Sequence, residues 1–279
     1  MYIIDGKECS KELKEEIKKT VKSLADTPKL LVILVGENAA SKIYVSSKEK
    51  AAKNCGIETE TICLDENTSQ KEVIDIINNA NKDKKIHGIL VQMPLPEHIN
   101  ATSVINAIDP IKDVDGLTYV NQGKIMLGMK GIIPCTPKGI LYLLNKYNVN
   151  LSGKKVLVVG RSMLVGKPLA MLLINKDATV TIANSHTKNL KELCLDSDII
   201  ISAAGKPKLI TTDMVNNGSV IIDVGINRVH GTIVGDVDYL SVSEKCSRIT
   251  PVPGGVGPMT IACLLENVVE CYKMQKEQN

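Results

Sequence analysis

The sequence contains no tryptophan and no phenylalanine, and aromatic residues make up only 3% of it. Any interior must therefore be filled by Ile, Val and Leu. There is no C-x-x-C pair and no H-E-x-x-H. The eight cysteines are scattered at 9, 55, 63, 135, 194, 246, 263 and 271, and the four histidines at 87, 98, 186 and 230. In a chain of 279 residues this reads as reduced, mostly buried thiols rather than a disulfide or zinc framework, and no catalytic metal is expected. An excess of charge of one sign is missing too. The net charge is +3 and no basic block carries interleaved aromatics, so nucleic acid is not an expected partner. The longest apolar runs, such as LLVILV at 30–35, fall far short of the ~20 residues that span a bilayer. The opening MYIIDGKECSKELKEE carries early acids and is not a secretory signal. The expectation is a soluble, cytoplasmic chain with no membrane partner.

With 44% hydrophobic and 23% charged residues, the chain can bury a sizeable core and is not disordered. Short β-branched runs alternate with helix-length segments. Strands are expected at 30–35, 58–64 and 86–91, with helices at 10–25, 41–54 and 69–82. The second half repeats the alternation, with strands at 155–159, 179–183, 198–202 and 219–224 and helices at 166–175, 188–195 and 260–275. Strands separated by helices indicate α/β architecture with parallel sheets, and runs such as VLVV and DIII suit strands covered on both faces. Two such sets imply two domains. The Gly- and Pro-rich segment 109–139 reads as a linker or site wall, and PVPGGVGP at 251–258 as a second breakpoint.

Chemistry gathers at a few places. The strand KKVLVV runs into Gly160-Arg161-Ser162-Met163-Leu164-Val165-Gly166-Lys167-Pro168. A glycine at a strand end lets the backbone approach a phosphate, and the following helix offers its free N–H groups to the anion. The pattern is neither G-x-G-x-x-G nor a Walker loop, and a tight strand–helix turn without a ligand is the alternative. One of only three arginines follows Gly160 directly, and guanidinium suits a phosphate. The next strand ends in Asn184-Ser185-His186-Thr187, where NAD-binding units carry an acid for the ribose hydroxyl. Without that acid, NADP is expected over NAD. The loops 203–207 and 223–227 follow the next two strands and should line the same site.

In the first half, Ser41 is expected to cap a helix on which Tyr44, Lys48, Ala51 and Cys55 share a face at about 100° per residue. Lys48 then lies on an otherwise buried stripe. It is either a snorkelling lysine or one held in a cleft with a lowered pKa, able to move protons near neutral pH. A buried strand ends in Gln92, followed by Met93-Pro94-Leu95-Pro96. Asp113-Val114-Asp115-Gly116 sets carboxylates in a turn able to bind a ring N–H and an amino group, or simply forms the turn.

Together, YVSSK at 44–48, VQMPLP at 91–96, KDVDG at 112–116, PCTPKG at 134–139, GRSMLVGKP at 160–168, DVGIN at 223–227 and PVPGGVGPMT at 251–260 resemble the bifunctional methylenetetrahydrofolate dehydrogenase/methenyltetrahydrofolate cyclohydrolase family. The resemblance implies an N-terminal α/β substrate domain (1–138 plus 259–279) and a Rossmann-type parallel-sheet NADP domain (139–258), assembled as a homodimer. It implies that Lys48 is the catalytic lysine, Tyr44 stacks on or orients the folate and positions that lysine, Gln92 hydrogen-bonds the lysine and Asp115 grips the pterin. Gly160, Arg161, Ser162, Ser185, Ile226 and Thr136 fall at NADP-contact positions, and Gly254, Gly255 and Pro258 lie in the segment that closes over substrate. The substrates would be tetrahydrofolate one-carbon derivatives, in polyglutamylated form. A dehydrogenase-only member, another NADP-dependent dehydrogenase of the amino-acid or shikimate type, and a non-catalytic NADP-binding module remain the alternatives.

Overall fold

Strands buried on both faces need helices on either side, and the chain supplies them in alternation. The computed structural model describes residues 2–277. In chain order the elements are β1 (Tyr2–Ile3), α1 (Gly6–Lys22), β2 (Lys29–Val35), α2 (Ala39–Asn54), β3 (Glu58–Leu64), α3 (Gln70–Lys82), β4 (Gly88–Val91), α4 (Ala101–Ile105), α5 (Tyr119–Met126) and α6 (Cys135–Lys146). They continue with β5 (Lys155–Val159), α7 (Gly166–Ile174), β6 (Thr179–Ala183), α8 (Leu190–Leu195), β7 (Ile199–Ser202), β8 (Val220–Asp223), β9 (Asn227–Val229), β10 (Thr232–Val234), α9 (Tyr239–Ser243), β11 (Arg248–Ile249) and α10 (Val256–Glu277). The α/β class with parallel sheets is as the sequence implied. The chain forms two compact units, one of Met1–Ser10, Ile125–Met129 and Thr136–Thr260, the other of Lys11–Lys124, Lys130–Cys135 and Ile261–Asn279.

In the second of these, the substrate unit, β3-β2-β4 form a parallel sheet. Leu31, Ile33 and Val35 pack with Val73, Ile77, Ile89 and Val91 in one aliphatic core. Ser69 and Glu72 close a reciprocal capping box at the start of α3, which satisfies N–H groups the first turn leaves unpaired. At the other end Lys112, itself buried, donates from Nζ to the carbonyls of Ala80 (2.9 Å) and Asp83 (2.7 Å). A cation is well placed at a helix C-terminus. Burial pushes the Lys112 amine below its ordinary value, with Asp109 and Asp83 opposing. Anchored there, residues 112–114 run alongside β4, with Asp113 bridged in parallel to Ile89. Gly88 leaves the room: a Cβ there would meet Val114 at 2.4 Å.

In the nucleotide unit the sheet order is β1-β11-β8-β7-β5-β6, parallel throughout. The chain moves outward from β5 to β6, then returns to the other side of β5 as β7. The strand order therefore reverses between β5 and β7, where open α/β sheets bind ligands. Leu157, Val159, Ile200 and Ile221 anchor the core.

Some local details differ from the expectation. Residues 2–10, expected with the first domain, group with the nucleotide unit. Tyr2 and Ile3 pair with Arg248 and Ile249, and Ile4 is fully buried. A two-residue strand shows no periodicity. The segment 109–139 is not an irregular linker throughout, since it holds α5 and the start of α6. Thr118 supports α5 by accepting from the Asn121 amide, and Gly123 within the helix hides its pattern. The last helix begins at Val256, not 260, with Pro258 in its first turn, where a missing N–H costs no hydrogen bond.

Candidate active site

On α2 the N-cap is Asn38, whose side chain accepts from the Ser41 amide at 3.0 Å. Ser41, expected as the cap, is instead a buried first-turn residue. The inward face is consequently turned by one position: Ser41, Val45, Ala52 and Cys55 are buried, with Lys48 between them at partial burial. The aliphatic Val45 takes the inner position, and Tyr44 stands at the rim, 45% exposed. That suits a ring with an apolar body and a polar tip.

Lys48 Nζ donates to Gln92 Oε1 at 2.9 Å. Gln92 directly follows β4 and is buried. Its Nε2 donates to the Met93 carbonyl at 2.7 Å, which fixes the amide so that oxygen, not nitrogen, faces the lysine. Gln92 thus meets the amine as an acceptor and aims it.

The two aspartates of the 113–116 turn divide their work. Asp113 is buried, and its Oδ2 accepts from the Thr118 amide (2.8 Å) and Asn121 Nδ2 (2.9 Å). It holds the turn and is no ligand group, contrary to the pairing of both carboxylates as binders. Asp115 remains partly open. Burial pushes its carboxyl above the ordinary value, while the Lys48 charge pulls it back. The Cys135 thiol donates to Asp115 Oδ1 at 3.4 Å, and its own pKa is driven well up by burial, then by the Asp115 charge. Asn267, fully buried on α10, donates to the carbonyls of Val114 and Ile133, both at 2.8 Å. It ties the Asp115 turn to the segment leading into Cys135. Lys112 and Asn267 escaped the sequence reading. A polar residue inside the apolar run LLENVV was the available signal for Asn267.

In the nucleotide unit, Gly160 directly follows β5 at φ +126. A Cβ there would meet the Ala203 carbonyl at 2.3 Å, and one on Gly166 would meet the Gly160 carbonyl at 2.1 Å. The turn is therefore closed to any side chain at both glycines. The Val165 amide donates to Ser162 Oγ at 3.2 Å and the Lys167 amide to the Ser162 carbonyl at 3.0 Å. Arg161 and Ser162 are exposed beside the turn. After β6, Asn184 Oδ1 accepts from the His186 amide, and the Asn184 amide donates to Thr187 Oγ1. Asn184 and Thr187 thus build the turn, leaving Ser185 and His186 exposed with no acid among them. Ile226 is exposed after β8, and Thr136 Oγ1 lies 3.0 Å from Thr260 Oγ1. A glycine cradle at a reversal of strand order, with a guanidinium beside it, fits a dinucleotide phosphate. In the 251–258 loop, Gly254 (φ +112) accepts from the Lys7 amide at 2.9 Å, and the Pro258 carbonyl accepts from Ser10 Oγ at 2.9 Å. A Cβ on Gly255 would meet the Pro251 carbonyl at 2.6 Å.

The sequence matches the models of two domains, the tetrahydrofolate dehydrogenase/cyclohydrolase catalytic domain over residues 4–115 and the NAD(P)-binding domain of the same description over 134–276. The chain belongs to the tetrahydrofolate dehydrogenase/cyclohydrolase family. It is 52% identical over 273 residues to the bifunctional protein FolD of Campylobacter concisus, covering 96% of each chain. The crystal structure of the bifunctional FolD methylenetetrahydrofolate dehydrogenase/cyclohydrolase from Campylobacter jejuni superposes with a TM-score of 0.97 at 48% identity, covering 98% of this chain and 99% of that one. The FolD enzyme of Trypanosoma brucei, solved in complex with NADP cofactor and an inhibitor, gives a TM-score of 0.93 at 35% identity, covering 98% of both. A family match over both units sets aside a dehydrogenase of the shikimate type.

Proposed function

We infer that this chain is a bifunctional enzyme of folate one-carbon metabolism. It oxidises 5,10-methylenetetrahydrofolate to the 5,10-methenyl form with NADP⁺ and hydrolyses that product to 10-formyltetrahydrofolate. The observation that carries the reading is the hydrogen bond from Lys48 to Gln92 near a largely buried Asp115, in a chain whose two family domains bear both activities in their description.

The bridge carbon lies between two nitrogens whose lone pairs stabilise the methenyl cation, so loss of hydride requires no protein base. NADP⁺, when bound, accepts that hydride. The residues' task in this half is orientation. Asp115 would accept from a ring N–H and amino group of the pterin, and Tyr44 at the rim would cover its face. Gly160, Arg161, Ser162, Ser185 and Ile226 would hold the dinucleotide, with Arg161 and the Ser185-His186 pair suited to phosphate oxygens, and Thr136 would complete that set. In the hydrolytic half, water attacks the methenyl carbon. Lys48, aimed by Gln92, takes a proton from it and returns one to the departing ring nitrogen as the ring opens. Gly254, Gly255 and Pro258 would close over the substrate.

Finer assignments follow from the same reading. The substrate is the polyglutamylated form, whose anionic tail suits a lysine-rich chain. The assembly is a homodimer, as the family resemblance implies, and the outer edge of β6 is available for it. Among the described residues no helix is long and apolar enough to cross a membrane, and reduced cysteines, buried except for Cys63, suit the reducing cytoplasm.

The test combines purified protein, 5,10-methylenetetrahydrofolate and NADP⁺, following NADPH and the methenyl chromophore together. NADPH rising without accumulation of methenyl supports both activities. Stoichiometric methenyl accumulation leaves a dehydrogenase alone, and absence of NADPH overturns the reading.

A further inference from the structure

The loop after β7 carries three consecutive main-chain amides, those of Ala204, Gly205 and Lys206, at the point where the sheet reverses its order. Successive amides of this kind form a nest for an anion. Here the anion is internal. Asp236, fully buried, accepts on Oδ2 from Ala204 N (2.7 Å), Gly205 N (3.1 Å) and Ser202 Oγ (3.2 Å), and on Oδ1 from Lys206 N (2.9 Å) and Asn227 Nδ2 (2.9 Å). One carboxylate thereby satisfies both oxygens and joins the loop after β7 to the loop after β8.

Its own position is prepared by a second carboxylate. Asp223 Oδ1 accepts from the amides of Asp236 and Gly225, both at 2.9 Å, and Oδ2 from that of Val237, also at 2.9 Å. Two glycines make room. A Cβ on Gly225 would lie 2.3 Å from Asp236 Oδ1, and one on Gly235 would lie 1.8 Å from Asp223 Oδ2.

We propose that Asp236 is a positioning residue for NADP, filling the amide nest of the 203–206 loop and locking that loop to 223–227 as one rigid wall of the dinucleotide site. The role rests on the reading of the β5–β7 reversal as that site. Because the nest is already occupied, the wall offers no competing anion site, and the phosphates are left to the Gly160–Lys167 turn. Asp236 touches neither nucleotide nor folate in this role.

Asp236→Asn keeps the shape but turns an NH₂ toward donors on one side or the other. Nucleotide binding is read by calorimetric titration with NADPH, and hydrolysis of methenyltetrahydrofolate without nucleotide serves as an internal control. The expected result is a rise of about tenfold or more in the NADPH Kd and in KM for NADP⁺. The kcat at saturating NADP⁺ and the cyclohydrolase rate should stay within about twofold. Asn227→Ala, which releases only the second loop, should show the same split to a smaller degree and decides the matter if Asp236→Asn does not fold. Unchanged NADPH affinity in the variants overturns the positioning role, as does a parallel loss of both activities in a folded variant. Wild-type protein that fails to bind NADPH overturns the underlying reading instead.

Discussion

The hydrolytic step proposed above would rest on Nζ of Lys48, whose one hydrogen-bond partner among the described residues is Gln92. Lys48→Met keeps most of the stem's volume and removes the amine. Cyclohydrolase activity is expected to fall by about 10²- to 10⁴-fold while NADPH binding is retained. Decay of methenyl absorbance checks the first and titration the second, and hydrolysis at the wild-type rate would remove Lys48 from the mechanism. Asp223 gives a different kind of prediction. Burial raises its carboxyl from 3.8 to about 6, against the pull of the amides of Asp236, Val237 and Gly225. Between about pH 4 and 6 the unfolded chain has released this proton while the native state still holds it. Stability therefore falls as pH rises through that window, by up to about 3 kcal/mol, and levels off above it. Urea unfolding of the wild type against Asp223→Asn over this range should show the gap closing from the acid side, and parallel curves would count against it. Some of these residues were legible in the sequence and others were not. Lys48 stood out because a charge interrupts an apolar stripe, and Asp115 because it precedes a glycine. Asp236 and Asn267 act on main-chain atoms brought close only by folding, so no spacing announces them.

At the scale of elements, strands β3, β5 and β6 coincide with the runs read from the sequence, because β-branched residues bounded by turn formers leave little freedom. Helix phase was harder. The true cap of α2 lies three residues before the expected one, and a one-position rotation moves Tyr44 from the interior to the rim. The glycine turn after β5 was legible as a turn, but its tightness was not. It follows from the carbonyls of Gly160 and Ala203 occupying the space a side chain would need. Gly166→Ala should therefore force the turn open, costing about 1–3 kcal/mol of stability and raising KM for NADP⁺ by at least about tenfold. Chemical denaturation and initial-rate kinetics measure the two effects. A variant with wild-type values would mean that the turn yields at no expense.

Across the whole molecule, composition announced an aliphatic α/β protein correctly, while the allotment of the first residues could not be read. Tyr2 and Ile3 are exposed, yet the Tyr2 amide donates to the Ser247 carbonyl at 2.7 Å and that of Ile4 to the Ile249 carbonyl at 2.8 Å. Tyr147 Oη accepts from the Asp5 amide at 2.8 Å. Deleting residues 2–5 removes these bonds and the buried Ile4, and should lower Tm by about 4–10 °C. Melting followed by circular dichroism checks this, and an unchanged Tm would show the segment to be dispensable. The pairing of Tyr2 with Arg248 also bears on the route to the native state. Its two strands lie far apart along the chain, so their pairing closes a very long loop and carries the entropic cost of doing so. Until β1 docks, Arg248–Ile249 has β8 on one side and an open edge on the other.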